Sequence, residues 1–589
     1  MEKEGEAEAG ITGTKPIRLT VHAPRFCSNV HVLDLLDGVV WLAQQEQRKT
    51  CPATLIEVLL HPVGSPWVRA LRIVSNWTVK AWRQLFRRYN LDDEPSGTSI
   101  TAANHRKGTI TGQLRGRYES VRIPVDENLT VAMHRIKVGY LKSLAMTLRA
   151  VLRGFKHYVS CMRRGRFDRQ VFLVSRYRGV HIGDLIASEA IGFNPNAGGH
   201  LQRCGSLAML RGIVDAIYTV DYILGQSWNA WDYTTVSETT YLEELYRRTL
   251  HQQGLQSLEM YDYSGQLYIL PGQGPLPNPF IARAWQGPTL SPAQRERAKR
   301  YMSERLNATR HLWYMNVGRN VQQSQDVRDE QGQLLAPDTT NVTAVVFLHS
   351  FDDAQFQFGL DGFDDLYEWT VTTINECLAN RHVGRVLIKE HPNVDPVAFP
   401  GDKHALRRLR ARYGGVPRVV FVDRYTNVKA FAGLGCVCGL TNYGSVAEEC
   451  VPAGIPMIAS AKGPWGTHYP FLRVWESPAE YVALLRRLTA AEWRPPGERE
   501  MEALAEFVFE YRVNIRPAAD VPLWFQWAAL QDPSINILDR DVIEKVERRI
   551  VDLEPDAPSL IGWLRERAMI HRTDRPGHRS GSSSCQVAC

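Results

Sequence analysis

Short apolar runs rich in β-branched residues alternate along most of the chain with longer segments whose apolar positions recur every three or four residues. This is the pattern of strands and amphipathic helices in βα units, and it predicts an α/β fold built on parallel sheets. In the first half, strands are expected at Ile17–His22, Ala53–Leu60, Gln170–Ser175, Thr234–Ser237 and Gln256–Tyr261. A Pro/Gly-rich stretch, Leu270–Pro279, then interrupts the pattern as a domain boundary and leads into a helical segment, Pro292–Leu306. Beyond it the alternation is cleaner. Strands are expected at Thr343–His349, Arg385–Lys389, Arg418–Val422, Cys436–Leu440 and Pro456–Ser460, with helices at Leu366–Leu378, His404–Tyr413, Val428–Leu434 and Val446–Ala453. Such a succession predicts a Rossmann-like sheet.

The expected plan is a disordered start (1–14), a first Rossmann-like domain (15–280), a second (290–495), a helical extension (496–570) and a disordered Arg/Ser/Gly-rich tail (571–589). The extension carries Phe507, Phe509, Tyr511, Trp524, Phe525 and Trp527, aromatics expected to pack across the two domains. One helix candidate, Met133–Met162, has an apolar stripe of Leu141, Leu144, Leu148, Leu152, Phe155 and Val159. Lys137, Lys142, Arg149, Arg153, Lys156 and Arg163 crowd the rest of it. A basic amphipathic helix of this kind suits anionic lipid, but the reading preferred from sequence packs the stripe on the first sheet and leaves the basic face solvated.

Composition changes this picture little. At 589 residues the chain exceeds one core, and 44% hydrophobic with 23% charged residues is the profile of a globular protein. Residues 1–14 are acidic and small, unlike a signal peptide, and no apolar run approaches the ~20 residues that span a bilayer. A cytoplasmic protein is expected, with any membrane contact peripheral, on the inner face. The ten cysteines form no CxxC pair and read as reduced thiols. A net charge of +7 suits anionic substrates or an acidic membrane surface. The basic helix lacks interleaved stacking aromatics, so no nucleic-acid partner is expected.

Two segments carry candidate chemistry. In Arg385–Asn393 an apolar strand ends abruptly in Lys389, Glu390, His391 and Pro392. Ligands of open α/β sheets bind at the carboxyl ends of strands, where a lysine and a histidine can donate to phosphate oxygens. Some fifty residues on, Gly439–Ser460 reads as strand, polar loop, helix and strand. It places Thr441, Asn442, Tyr443, Gly444 and Ser445 at a helix N-terminus suited to an anion. Gly444 would let the backbone approach a phosphate closely.

Together these segments resemble the HP motif and downstream Ser/Thr motif of bacterial GT-B transferases that use CMP- or CDP-linked donors. The chain is most similar to the capsular and surface polysaccharide biosynthesis glycosyltransferases. Gly454–Pro456, Gly463–Trp465, Ser477–Tyr481, Leu348–Trp369 and Tyr177–Ile186 support the likeness, which covers about residues 170–490. It implies a GT-B-like fold, with two Rossmann-like domains facing a cleft and C-terminal helices crossing between them. It also implies that His391 and Ser445 bind the donor phosphate and that the cytidine rests nearby in the second domain. The chain departs from the family pattern at Ser188, where an aspartate is usual, and residues 1–130 have no counterpart.

A transferase needs a carboxylate as base or nucleophile. Asp184, at a strand-to-helix turn, and Asp361, in the polar loop after Thr343–His349 that also holds His349, Asp352 and Asp353, are the catalytic candidates; Asp364 and Asp365 read as the start of the next helix. Lys389, His391, Thr441, Asn442, Gly444, Ser445 and Glu448 are the expected donor-binding residues, with Glu448 reaching a ribose hydroxyl. Glu449 reads as a dipole-complementing helix acid, and Asp539-Arg540-Asp541 as surface charge rather than a metal motif. No metal or cofactor is expected, the nucleotide-sugar being a substrate. The resulting expectation is a metal-independent glycosyltransferase acting on a saccharide or glycolipid acceptor. A CDP-polyol phosphotransferase and a non-catalytic nucleotide-binding scaffold are the alternatives.

Overall fold

The computed structural model describes residues 17–24, 54–61, 64–68, 120–126, 129–136, 138–164, 166–192, 194, 197–228, 233–236, 242, 244–254, 256–261, 266–270, 285–307, 326–352, 355–356, 358–391, 400–423, 426–492 and 494–513. The expected disordered ends, Pro392, the linker after Leu270, Trp524–Trp527 and Asp539–Asp541 lie outside them.

The first sheet contains β1 (Ile17–Pro24), β2 (Thr54–His61), β3 (Ser120–Asp126), β4 (Leu129–Arg135), β5 (Tyr233–Val236), β6 (Gln256–Tyr261) and β7 (Gln266–Leu270), in the order β7-β6-β5-β1-β2-β4-β3. Its inner strands run parallel, and β3 and β7 close the edges antiparallel. The second sheet contains β8 (Asp338–Phe347), β9 (Val383–Lys389), β10 (Val419–Val422), β11 (Gly435–Leu440), β12 (Met457–Ser460) and β13 (Arg473–Trp475). All its pairs are parallel, in the order β10-β9-β8-β11-β12-β13. This is the doubly wound Rossmann order, with its switch point between β8 and β11. Val345 and Phe347 point into one core, Ala344 and Val346 into the other, as the two-residue strand repeat requires of a sheet covered on both faces.

Gln170–Ser175 is not a strand. Asp168 accepts a hydrogen bond from the Val171 N–H (3.0 Å) and caps a short helix, Arg169–Leu173, whose Phe172 and Leu173 are buried. A short apolar run has no periodicity that separates the two states, and the cap decides. Strands β3, β4, β7 and β13 have no counterpart in the sequence expectation. Pro124 argues against a central strand, and β3 is indeed an edge.

The basic helix is α1 (Tyr140–Ser160), starting later than expected because Met133 belongs to β4. Its orientation overturns the preferred reading. The buried face carries Ser143, Thr147, Ala150 and Gly154, while Leu141, Leu148, Leu152, Phe155 and Val159 are exposed. Small residues let α1 lie close on α2 (Ser206–Leu224): a Cβ on Gly154 would come within 2.9 Å of Val214, and Ser143 Oγ hydrogen-bonds Tyr218 OH at 3.1 Å.

The described part of the extension also differs from expectation. Helix α3 (Glu498–Val508) and the turn after it place Phe507 and Phe509 beside Trp465, Tyr469 and Phe471, in the core of the second sheet alone. The two sheets meet instead through the loop after β8. Asp365 caps α4 (Leu366–Ala379) by accepting from the Glu368 N–H at 2.7 Å, and its other oxygen accepts from the Leu201 N–H at 2.7 Å and lies 2.7 Å from His200 Nδ1. Arg169 pairs with Asp364 at 3.4 Å, Arg408 donates to Ala197 O at 2.9 Å, and Phe356 is buried in the core of the first unit. Asp365→Ala removes a helix cap and the bonds across the units together. It should cost about 3 kcal/mol, read as a lower urea midpoint, with Asp365→Asn intermediate. An unchanged midpoint would show that the units are held elsewhere.

Candidate functional site

Strand register brings the expected residues together. Phe347 pairs with Lys389 and Val346 with Leu440, so His349, His391 and Asn442 leave β8, β9 and β11 at nearly one level beside the switch point. The centre of the cluster is His349. Its Nε2 accepts from the N–H groups of Asn442 (3.2 Å) and Tyr443 (3.4 Å) and lies 3.1 Å from Thr441 Oγ1, which places the ring proton on Nδ1. The Tyr443 ring covers the imidazole at 4.5 Å between centroids. Gly444 leaves no room for a side chain, since a Cβ would lie 2.6 Å from Thr441 Oγ1 and 3.3 Å from His349.

Asn442 links this group to Asp361, donating from Nδ2 to Oδ2 at 2.6 Å, while Asp361 Oδ1 accepts from the Phe363 N–H at 3.0 Å. Asn442 is 1% exposed, and its Oδ1 has no hydrogen-bond partner among the described residues, which leaves an acceptor for a ligand donor. Burial pushes the Asp361 carboxyl above its ordinary range, opposed by its bonds to Asn442 and the backbone and by Lys462. Burial, and then the nearby His391, lower His349 to about 3. Burial, and then Lys389, lower His391 to about 4. Both imidazoles are therefore neutral at pH 7.

The site differs from the sequence reading in its details. The helix after the Ser motif is one turn, Ala447–Cys450, so its dipole is small, and the N–H groups of residues 442 and 443 are directed at His349 and that of Gly444 at Thr441. Ser445 Oγ accepts from Arg305 at 3.1 Å. Glu448 is fully buried, with both oxygens engaged by Arg305 (3.3 Å) and Arg512 (2.7–3.2 Å), so the ribose contact is replaced by an ion pair; Glu449 pairs with Arg305 at 2.6 Å. Asp184 lies in the first unit, bound through both oxygens to Arg248 (2.8 Å each) and 2.9 Å from His181. Burial would raise its carboxyl, but Arg248 and His181 together outweigh burial and hold it well below the ordinary value, which makes it a poor base and a structural anchor. Ser188 is buried beside it in the helix Gly183–Gly192.

His349 and Lys462 were not among the designated site residues. The carboxyl end of the first strand of a Rossmann-like sheet is the signal that points to His349. Lys462 follows β12 with no motif to mark it. Asp402 has no motif to mark it either. Asp402 accepts from Ser350 Oγ (2.9 Å) and the Asp352 N–H (3.2 Å), and burial together with Asp352 raises it well above the ordinary carboxyl range. Among the described residues no His/Cys/Asp/Glu group is arranged to hold a metal ion.

No protein-family model matches the chain, and no curated protein sequence matches it. Similar solved structures include α,α-trehalose-6-phosphate synthase from Burkholderia multivorans, at 12% identity over 88% of this chain and 100% of that one, with a TM-score of 0.26. The UDP-forming trehalose-phosphate synthase from Burkholderia vietnamiensis gives 11%, 88%, 97% and 0.27, and UDP-GlcNAc 2-epimerase from Methanocaldococcus jannaschii 7%, 84%, 98% and 0.20. TM-scores this low carry no weight for activity, and the two-sheet α/β architecture stands on its own strand order.

Two outcomes are expected. Asp184→Ala removes the bidentate partner of buried Arg248, leaving it Glu244 at 3.5 Å and the His181 carbonyl at 3.0 Å, and should cost about 3 kcal/mol by chemical denaturation; a loss below about 0.5 kcal/mol, the scale of an exposed substitution, would contradict the anchor. The two imidazoles bind protons more weakly folded than unfolded, so their contribution to stability is complete above pH 6.5 and lost as pH falls towards 4. The urea midpoint should therefore fall between pH 7 and pH 5, less steeply in His391→Gln than in the wild type, and equal slopes would refute the assignment.

Proposed function

We propose that the chain is a GT-B-type glycosyltransferase whose nucleotide-sugar donor lies at the carboxyl ends of β8, β9 and β11. The observation that carries this reading is the convergence of Lys389, His391, His349, Thr441, Asn442 and Asp361 beside the switch point of the second sheet. Lys389 and His391 supply positive charge and a donor for the leaving phosphate, the electrostatic role that a cation plays elsewhere. Asp361 serves as base. Its raised carboxyl suits proton transfer near neutrality better than Asp184 does. The acceptor hydroxyl gives its proton to Asp361, its oxygen bonds to the anomeric carbon, and the bond from that carbon to the donor phosphate breaks with its electrons staying on the nucleotide.

The HP-like and Ser motifs favour a CMP-linked donor and a surface or capsular polysaccharide or glycolipid acceptor. Ser445 acts here through Arg305 as well as directly. The first test is a thermal-shift and calorimetric comparison of CMP, CDP, UDP, GDP and ADP, since a ligand of the folded state raises its melting temperature. CMP or CDP should raise the Tm selectively, with the shift lost in His391→Ala and reduced in Ser445→Ala. Selective stabilisation by UDP or GDP would keep the site and reject the cytidine donor, whereas no shift with any nucleotide would reject the reading. Donor hydrolysis without acceptor, abolished in Asp361→Asn, separates an enzyme from a binding scaffold.

A further inference from the structure

We infer that α1 docks the protein on an anionic bilayer surface, lying in its plane. Eight of the eleven exposed large hydrophobic side chains among the described residues fall between Tyr140 and Met162: Tyr140, Leu141, Leu148, Val151, Leu152, Phe155, Val159 and Met162. At about 100° per residue, Leu141, Leu148, Leu152, Phe155 and Val159 fall on one stripe, and Lys142, Arg149 and Lys156 on the next, about 90° round. The small residues that pack on α2 lie on the far side. Interior packing thus uses mainly small residues, with Met146 and Tyr158 partly buried at the margins, while the leucine and phenylalanine stripe stands in water, an arrangement that costs free energy in solution and is relieved by an apolar phase.

Charge identifies the occupant. No acidic residue occurs from Tyr140 to Phe167, which carries Lys142, Arg149, Arg153, Lys156, Arg163, Arg164 and Arg166. Arg153 is held by Asp221 and Arg163 lies 3.5 Å from Asp168. Lys142, Arg149 and Lys156 have no carboxylate within salt-bridge distance among the described residues and are exposed beside the stripe. Leucine and phenylalanine entering the acyl boundary, flanked by lysine and arginine at phosphate level, are the chemistry of an interfacial helix. No helix among the described residues is long and apolar enough to cross a membrane. Docking of this kind is independent of the proposed transferase activity.

The test is flotation of the full chain with phosphatidylcholine vesicles, with and without phosphatidylglycerol. Capture by the anionic vesicles alone is expected, weakened about tenfold or more at high salt. The triple substitutions Leu148→Ser/Leu152→Ser/Phe155→Ser and Lys142→Glu/Arg149→Glu/Lys156→Glu should each abolish capture while leaving the Tm unchanged, since none of these side chains is packed inside. Equal capture by neutral vesicles, or variants that float like the wild type, would overturn the proposal. So would a wild-type dimer that the serine variant converts to monomer without lipid binding, which would make a second copy the occupant. Flotation that appears only after removal of residues 514–589 would assign the face to the chain's own C-terminal segment and overturn it too. A large drop in Tm of the serine variant would show that the stripe is packed within the protein, and the proposal would fall on that result as well.

Discussion

A single carboxylate holds the molecule in register. Asp365 ends the loop after β8, starts α4 with one oxygen and takes the Leu201 N–H with the other, so the helix and the first unit are tied to one residue. Buried N–H groups must find acceptors, and those of residues 201 and 368 find the same one. The neighbouring loop contacts follow from that fixed point. Phe356 enters the core of the first unit, Gly199 packs on Phe351 where no side chain would fit, and Arg408 stacks over Tyr367 while reaching the carbonyl of Ala197. Asp361, four residues earlier, is thereby presented to Asn442.

The cluster beside the switch point would be unusual in its electrostatics if it takes an anion. Its imidazoles are kept neutral by desolvation and by neighbouring cationic or imidazole groups, and the turn N–H groups that would ordinarily greet a phosphate are directed at His349 and Thr441. On the proposed reading, a donor phosphate would meet lysine and histidine side chains rather than an empty nest of amides. Its charge would favour protonation of His391, and binding would then be coupled to proton uptake.

Much of the second unit was legible in the sequence because strands β8 to β12 each contain a short apolar run that leads into a polar break. The helix Pro292–Leu306 is read to the residue because Ser291, Pro292 and Gln294 form a capping box with proline in the first turn. The first unit was less legible. Its edge strands contain Pro124 or short mixed runs, and Arg169–Leu173 is decided by one capping aspartate. The orientation of α1 defeated periodicity altogether, since an apolar stripe does not say whether it faces a core or something outside the chain. At the site, motif and register agreed for Lys389, His391, Thr441, Asn442 and Gly444. The partners of Asp184 and Glu448 could not be read, because Arg248, Arg305 and Arg512 lie 64, 143 and 64 positions away in the chain.

The ion pairs around Glu448 redraw the limits of the second unit. Arg305 comes from the helix before β8 and Arg512 from the turn after α3, and between them they neutralise an acid with no access to water. Phe507 and Phe509 complete the same apolar interior. Residues 496–513 are therefore not an appendage. Their excision would leave Glu448 with Arg305 as its one partner among the described residues and open a hole lined by Trp465 and Phe471, and the described interior of this half runs from Trp285 through Val513.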